Sequence, residues 1–144
     1  MHVKKTIRDE ITTLLMGVTP AGNNVFASKV YPLTKQQLPA ICVYTLNESI
    51  DHLTMNKPRK QERTIELGID IFVRANDSYD DDIDAIQVVV EQVLYNAKIN
   101  SVTQLDLTST SLNLSNEGDQ TTGRLAMTFD AYCHTIEGDA ETIV

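Results

Sequence analysis

Between Gln61 and Arg74 the chain reads QERTIELGIDIFVR, and Ile65, Leu67, Ile69, Ile71 and Val73 fall on every second position. Glu66, Gly68, Asp70, Phe72 and Arg74 fill the gaps. Side chains of a strand point alternately to opposite faces, so this run predicts a long strand with one face on a core and one mostly polar face outward. A second alternation, Gly123 to Thr135, sets Leu125, Met127, Phe129, Ala131 and Cys133 against Arg124, Thr128, Asp130 and Tyr132. Ala40 to Leu46, AICVYTL, is rich in β-branched and aromatic residues and predicts a strand covered at least partly on both faces. Val25 to Tyr31, bounded by Asn23, Asn24 and Pro32, predicts a short strand. In Leu105 to Ser115, Leu105 and Leu107 lie in one alternation phase and Leu112 and Leu114 in the other, which predicts a bulge or bend between them. Asn116 to Asp119 is a turn signal.

Two stretches follow the helical period instead. Val3, Ile7, Ile11, Leu14 and Leu15 form one stripe of an amphipathic helix from Val3 to Met16, with Lys4, Lys5, Arg8, Asp9 and Thr12 on the wet side. Gly17 and Pro20 stop it. Ile83, Ile86, Val90, Val93, Leu94 and Ala97 mark the second helix, opened by Ser78 and Asp81 at the spacing of a capping box. Between the second and third strands, Asn47 to Lys60 is too long for mere spacer and predicts two strand extensions meeting in a turn near Asn56 to Pro58, a protruding hairpin.

The element order is therefore α-β-β-β-α-β-β. It predicts a two-layer α+β domain, a mostly antiparallel sheet of about four main strands with two helices packed on one face. Residues 1–136 make a single domain on this reading, and the acidic segment 137–144 a flexible C-terminal tail.

Composition narrows the function classes. With 144 residues, 42% hydrophobic and 22% charged, the chain has ordinary globular usage and room for one core. No apolar run reaches the roughly 18 residues of a spanning helix, and the N-terminal stretch has no signal-peptide core, so residence in the cytosol and no membrane partner are expected. Cys42 and Cys133 each lie in a predicted strand and are expected to act as small buried hydrophobes. A net charge of −8 disfavours general phosphate-backbone binding.

Candidate chemistry is sparse. Asp77, Asp80, Asp81, Asp82 and Asp84 lack the glycine and glutamate spacing of an EF-hand, and acids at a helix start complement its dipole. His2, His52 and His134 stand far apart with no metal spacing, and neither G-x-S-x-G, a Walker loop nor a dinucleotide fingerprint is present. No catalytic, cofactor-binding or metal residues are assigned, no cofactor or small-molecule substrate is expected, and the chain reads as not an enzyme. The basic run Lys57, Arg59, Lys60 and Arg63 stands out on an acidic protein. It reads either as a partner or subunit contact or as a solvated loop kept soluble by its charge. Long strands also leave open sheet edges, which ring or oligomer formation would cover.

The element order resembles that of the tail terminator proteins of long-tailed bacteriophages, the family typified by minor tail protein U of phage lambda. The helix IRDEITTLLMG, the Val25-Phe26 strand, the strand containing LPAICVY, the strand RTIELGIDIFVR, the acid-rich helix from Asp80 to Leu94 and the closing strand GRLAMTFDAYC carry the likeness, across about residues 5 to 135. It implies a non-enzymatic virion protein, resident in the tail after assembly in the host cytoplasm. Six copies would form a ring on the last ring of tail tube protein, stop polymerisation and present a surface to the head–tail connector proteins. Nucleic acid would be met only as it passes through the ring lumen. A neck or tail-completion protein, or a head–tail connector of the same class, is the alternative; a small bacterial binding module or enzyme is the more distant one.

Overall fold

The computed structural model describes residues 1–27, 39–74, 79–115 and 122–144. The first helix, α1, spans Val3–Leu15 and buries Val3, Ile7, Ile11, Thr12 and Leu15. His2 caps it, its Nδ1 accepting from the Lys4 amide at 3.1 Å. Burial lowers the His2 pKa, and the neutral ring that results is the form able to accept this bond. Past the helix end Gly17 adopts φ 78°, a conformation that costs a residue without a Cβ little. The second helix, α2, spans Tyr79–Asn96, buries Ile83, Ile86, Val90 and Leu94, and carries Asp80, Asp81 and Asp82 in its first turn. Ser78, the expected cap, lies outside the described residues, as do the expected turn at Asn116 to Asp119 and the expected continuation of the first strand to Tyr31.

Five strands follow the expected order: β1 (Val25–Phe26), β2 (Ala40–His52), β3 (Lys60–Arg74), β4 (Gln104–Ser115) and β5 (Thr122–Ile136). They form one sheet in the order β1-β2-β3-β5-β4. The two-residue β1 runs parallel to β2 and every other pairing is antiparallel, so the sheet has four long strands and one short one. Helices α1 and α2 cover one face, burying Ile41 and Val43 of β2, the alternating residues of β3 from Ile65 to Val73, and those of β5 from Leu125 to Cys133. Cys42 and Cys133 are both buried, but Cys42 pairs with Asp70 and Cys133 with Arg63, which places the thiols on opposite faces of the sheet. The segment 137–144, expected as a loose tail, makes backbone bonds to the domain: Val3 N donates to Ala140 O at 2.9 Å, Glu137 N to Arg59 O at 2.8 Å and Val144 N to His134 O at 3.0 Å.

The second face of β3 differs from the expectation of a mostly polar, wet surface. Gly68, Asp70 and Phe72 are buried, Asp70 completely. A buried carboxylate demands donors, and two side chains supply them. The Tyr44 hydroxyl donates to Asp70 Oδ1 at 2.8 Å, and Arg124 reaches Oδ2 with Nε at 2.9 Å and Nη2 at 2.8 Å. Burial first, and then the Asp70 hydrogen bond, push the Tyr44 pKa up to about 12. The tyrosine ring reaches this position across Gly68, where a Cβ would stand 2.4 Å from the ring carbons. Gly68→Ala is therefore expected to displace Tyr44 and destabilise the domain by about 1–3 kcal/mol, read by denaturant unfolding.

Candidate functional site

Two surfaces extend past the cover of the helices. The first is built by an irregularity in β2. Thr45 pairs with Leu67 but Glu48 pairs with Ile65, so Leu46 and Asn47 both stand opposite Glu66. One extra residue reverses the phase of everything after it. Glu48, Ile50 and His52 thereby share the helix-side face with Ile65, Arg63 and Gln61. Here the apolar core gives way to a polar cluster. Arg63, 7% exposed, donates from Nε to Thr135 Oγ1 at 2.9 Å, and its Nη1 lies 3.2 Å from Glu48 Oε2. That carboxylate oxygen has no hydrogen-bond partner among the described residues, so the Arg63 charge is what compensates it.

Beyond this cluster β2 and β3 close as the expected hairpin, with its tip at residues 53–59 and a cis Lys57-Pro58 bond. The base of the tip is pinned. Leu53 N donates to Lys60 O at 2.7 Å and Lys60 N to Thr54 Oγ1 at 2.9 Å. Arg59 donates twice to Glu137 Oε2, at 2.9 and 2.7 Å, and His52 Nε2 lies 3.5 Å from the same oxygen. The Arg59 bonds hold the Glu137 carboxyl below its ordinary pKa. Leu53 and Met55 project from the tip, Met55 95% exposed.

Of the four basic residues singled out in the sequence, Lys57 is exposed and Lys60 half-buried. Arg59 is engaged with Glu137, and Arg63 is buried against Glu48. The structure thus brings Arg59, His52 and Glu137 together but does not put all four cations on one surface. Glu48 and Glu137 were not legible as counter-ions, because their partners lie 15 and 78 residues away in the chain.

The second surface lies at the β4 edge of the sheet. The register of β4 shifts between Leu107 and Ser109, the irregularity expected from its leucine phases. The shift puts Leu105, Leu107, Leu112 and Leu114 on one face, the helix side, because their β5 partners are Ala131, Phe129, Leu125 and Gly123. Helix α2 lies over β3 and β5, and β4 runs past it, so Leu107, Leu112 and Leu114 are exposed. Between helix and strand lies a groove of about 350 Å³, lined by Glu91, Gln92, Tyr95, Leu105, Leu107 and Phe129 among others. Val88 and Tyr95, both exposed, share a helical stripe with Glu91. As the terminal strand, β4 also offers an open row of backbone donors and acceptors. Among the described residues no group of three or more His, Cys, Asp or Glu side chains is placed to hold a metal, and no helix is long and apolar enough to cross a membrane.

The geometry is that of a protein with arms and edges. Comparison with known families gives it a place: the family described as phage minor tail protein U matches residues 2–130, from α1 into β5. The chain belongs to the phage minor tail protein U family. It is accordingly a structural protein of the phage tail, and its place is the virion. No curated protein matches it. A chain of the solved structure titled "Virion of native gene transfer agent (GTA) particle" is similar with a TM-score of 0.49 and 15% identity, over 92% of this chain and 92% of that one.

For this minor tail protein the arm and the α2–β4 groove are the candidate assembly surfaces, and two experiments test how the arm is held. Arg63→Met strips Glu48 of its counter-charge and is expected to cost about 3 kcal/mol in denaturant unfolding, most of it recovered by adding Glu48→Leu. The contact of Glu137 with the arm depends on pH. Its pKa is lowered on folding from 4.5, so the stabilisation is fully present above that value and is lost as pH falls through the lower folded value. Protection of the Glu137 and Leu53 amides from hydrogen exchange, taken relative to the intrinsic rate at each pH, is expected to fall over that acid window, and Glu137→Gln to abolish that change in protection.

Proposed function

We propose that this chain is the tail terminator of its phage: a ring of copies that caps the finished tail tube, stops its polymerisation and offers the surface to which the head connector joins. Membership of the phage minor tail protein U family is the observation that carries this reading. The architecture supports it. Each copy bears two unlike surfaces, the tip of the β2–β3 arm beyond the strand ends and the β4 edge of the sheet with its groove. A contact between unlike surfaces propagates from copy to copy and closes into a ring when the rotation allows, with six copies as the proposed number.

Termination then follows from asymmetry between the two faces of the ring. One face complements the last ring of tail tube protein. The other gives an incoming tube subunit nothing to add to, and leaves its surface to the connector. The chain supplies shape and charge to this process, with no bond made or broken. Lys57 and Lys60 are the basic residues proposed to meet a partner, while Arg59 and Arg63 hold the arm in shape.

A phage carrying an amber mutation in this chain tests the proposal. Tails of uncontrolled length that fail to join heads are expected in electron micrographs. Tails of normal length that fail to join heads would assign the chain instead to neck or tail completion, and normal tails on normal heads would reject both roles.

A further inference from the structure

The arm and the groove are complementary in chemistry. The tip carries exposed Leu53 and Met55 beside the cations Lys57 and Lys60. The groove has an apolar floor of Leu105, Leu107 and Phe129. Its helical wall carries one acid, Glu91, beside Gln92, Leu94, Tyr95 and Asn96, and α2 has no lysine or arginine. Glu91 and Tyr95 are neighbours on that wall, so one acid stands beside an exposed ring at the rim.

Size agrees with chemistry. A cavity of about 150 Å³ holds a benzene molecule. The groove, at about 350 Å³, therefore has room for two aliphatic side chains. The tip cannot reach the groove of its own chain. Strands β3 and β5 stand between them in the sheet, and the bonds of Lys60 to Leu53 and Thr54 and of Arg59 to Glu137 fix where the tip points. What fits is the same tip on another molecule.

We infer that the β2–β3 tip of one copy seats in the α2–β4 groove of the next, with Leu53 and Met55 on the apolar floor and Lys57 against Glu91. The inference rests on the ring proposed above and names the contact that would build it. Because tip and groove are different surfaces, the contact leaves every copy with one of each still to fill, until the ring closes. Burial of the two apolar side chains gives the contact its strength, and the flanking charges set its orientation and suppress the reverse pairing.

A disulfide trap in the full-length chain tests it, both in purified protein and in assembled tails. Met55 and Tyr95 are 95% and 89% exposed, so cysteines there leave the fold intact, while Cys42 and Cys133 are buried. Chains carrying Met55→Cys and Tyr95→Cys together are expected to form a ladder of linked species under mild oxidation. Lys57→Glu is expected to lower the yield about fivefold, and Glu91→Lys added to that chain to restore it. Linking no greater than in a control with Met55→Cys and Val18→Cys overturns the inference, as does a yield indifferent to the charge reversals. Those results leave the terminator role standing if tail length is still controlled, whereas normal tails from the amber mutant remove that role whatever the cysteines do.

Discussion

Strand β3 is paired on both sides, and that single condition positions the rest of the molecule. It registers with β5 over its whole length, from Lys60 opposite Ile136 to Arg74 opposite Thr122, and with β2 from Gln61 to Phe72. A one-residue slip would turn Ile65, Leu67, Ile69, Ile71 and Val73 away from the helices and carry Glu66 and Asp70 into the core. With the register so constrained, three consequences follow from one strand. Its helix-side face nucleates the core, its other face holds the Asp70 cluster, and its first residues form half of the arm. Each rests on the strand's alternation rather than on a separate device.

The Asp70 cluster shows what that constraint costs and how the cost is met. Placing an aspartate at the centre of the sheet, fully buried on its second face, removes it from water. Tyr44 from the neighbouring strand on one side and Arg124 from the neighbour on the other return the lost hydrogen bonds. Gly68 is the fourth member, because only an absent side chain lets the tyrosine ring lie across the strand. The arrangement ties β2, β3 and β5 together by side chains on the face where no helix does so.

Much of this was legible in the sequence, for a physical reason. Periods of two and of 3.6 are imposed by backbone geometry, so both helices, the four long strands and the irregularity in β4 follow from where the apolar residues fall. The protruding hairpin followed from the length of the connection and from Pro58. What escaped is whatever depends on two distant residues meeting. The irregularity at Leu46 and Asn47 has no glycine or proline to mark it, and without it Glu48 cannot be placed beside Arg63. Arg59 and Glu137 are likewise joined only by the pairing of β3 with β5. The sequence therefore displays a run of four cations, whereas the fold engages two of them in ion pairs and leaves Lys57 and Lys60 at the tip. The groove escaped for a similar reason: the leucine phases of β4 reveal a bend but not what lies over it, and only the position of α2 over β3 and β5 leaves those leucines exposed.

Membership of a family of phage tail proteins, a β4 edge unlike the β2–β3 tip, and an arm locked in shape support the proposal of a part that joins copies of itself at the end of a tube. Electron cryomicroscopy of the junction between tail and head tests that description most directly. The account expects a single ring of this chain between the last tube ring and the connector, with each β2–β3 arm crossing to the α2 side of its neighbour. Copies distributed along the tail, or a ring at the junction whose arms point into solvent, would contradict it.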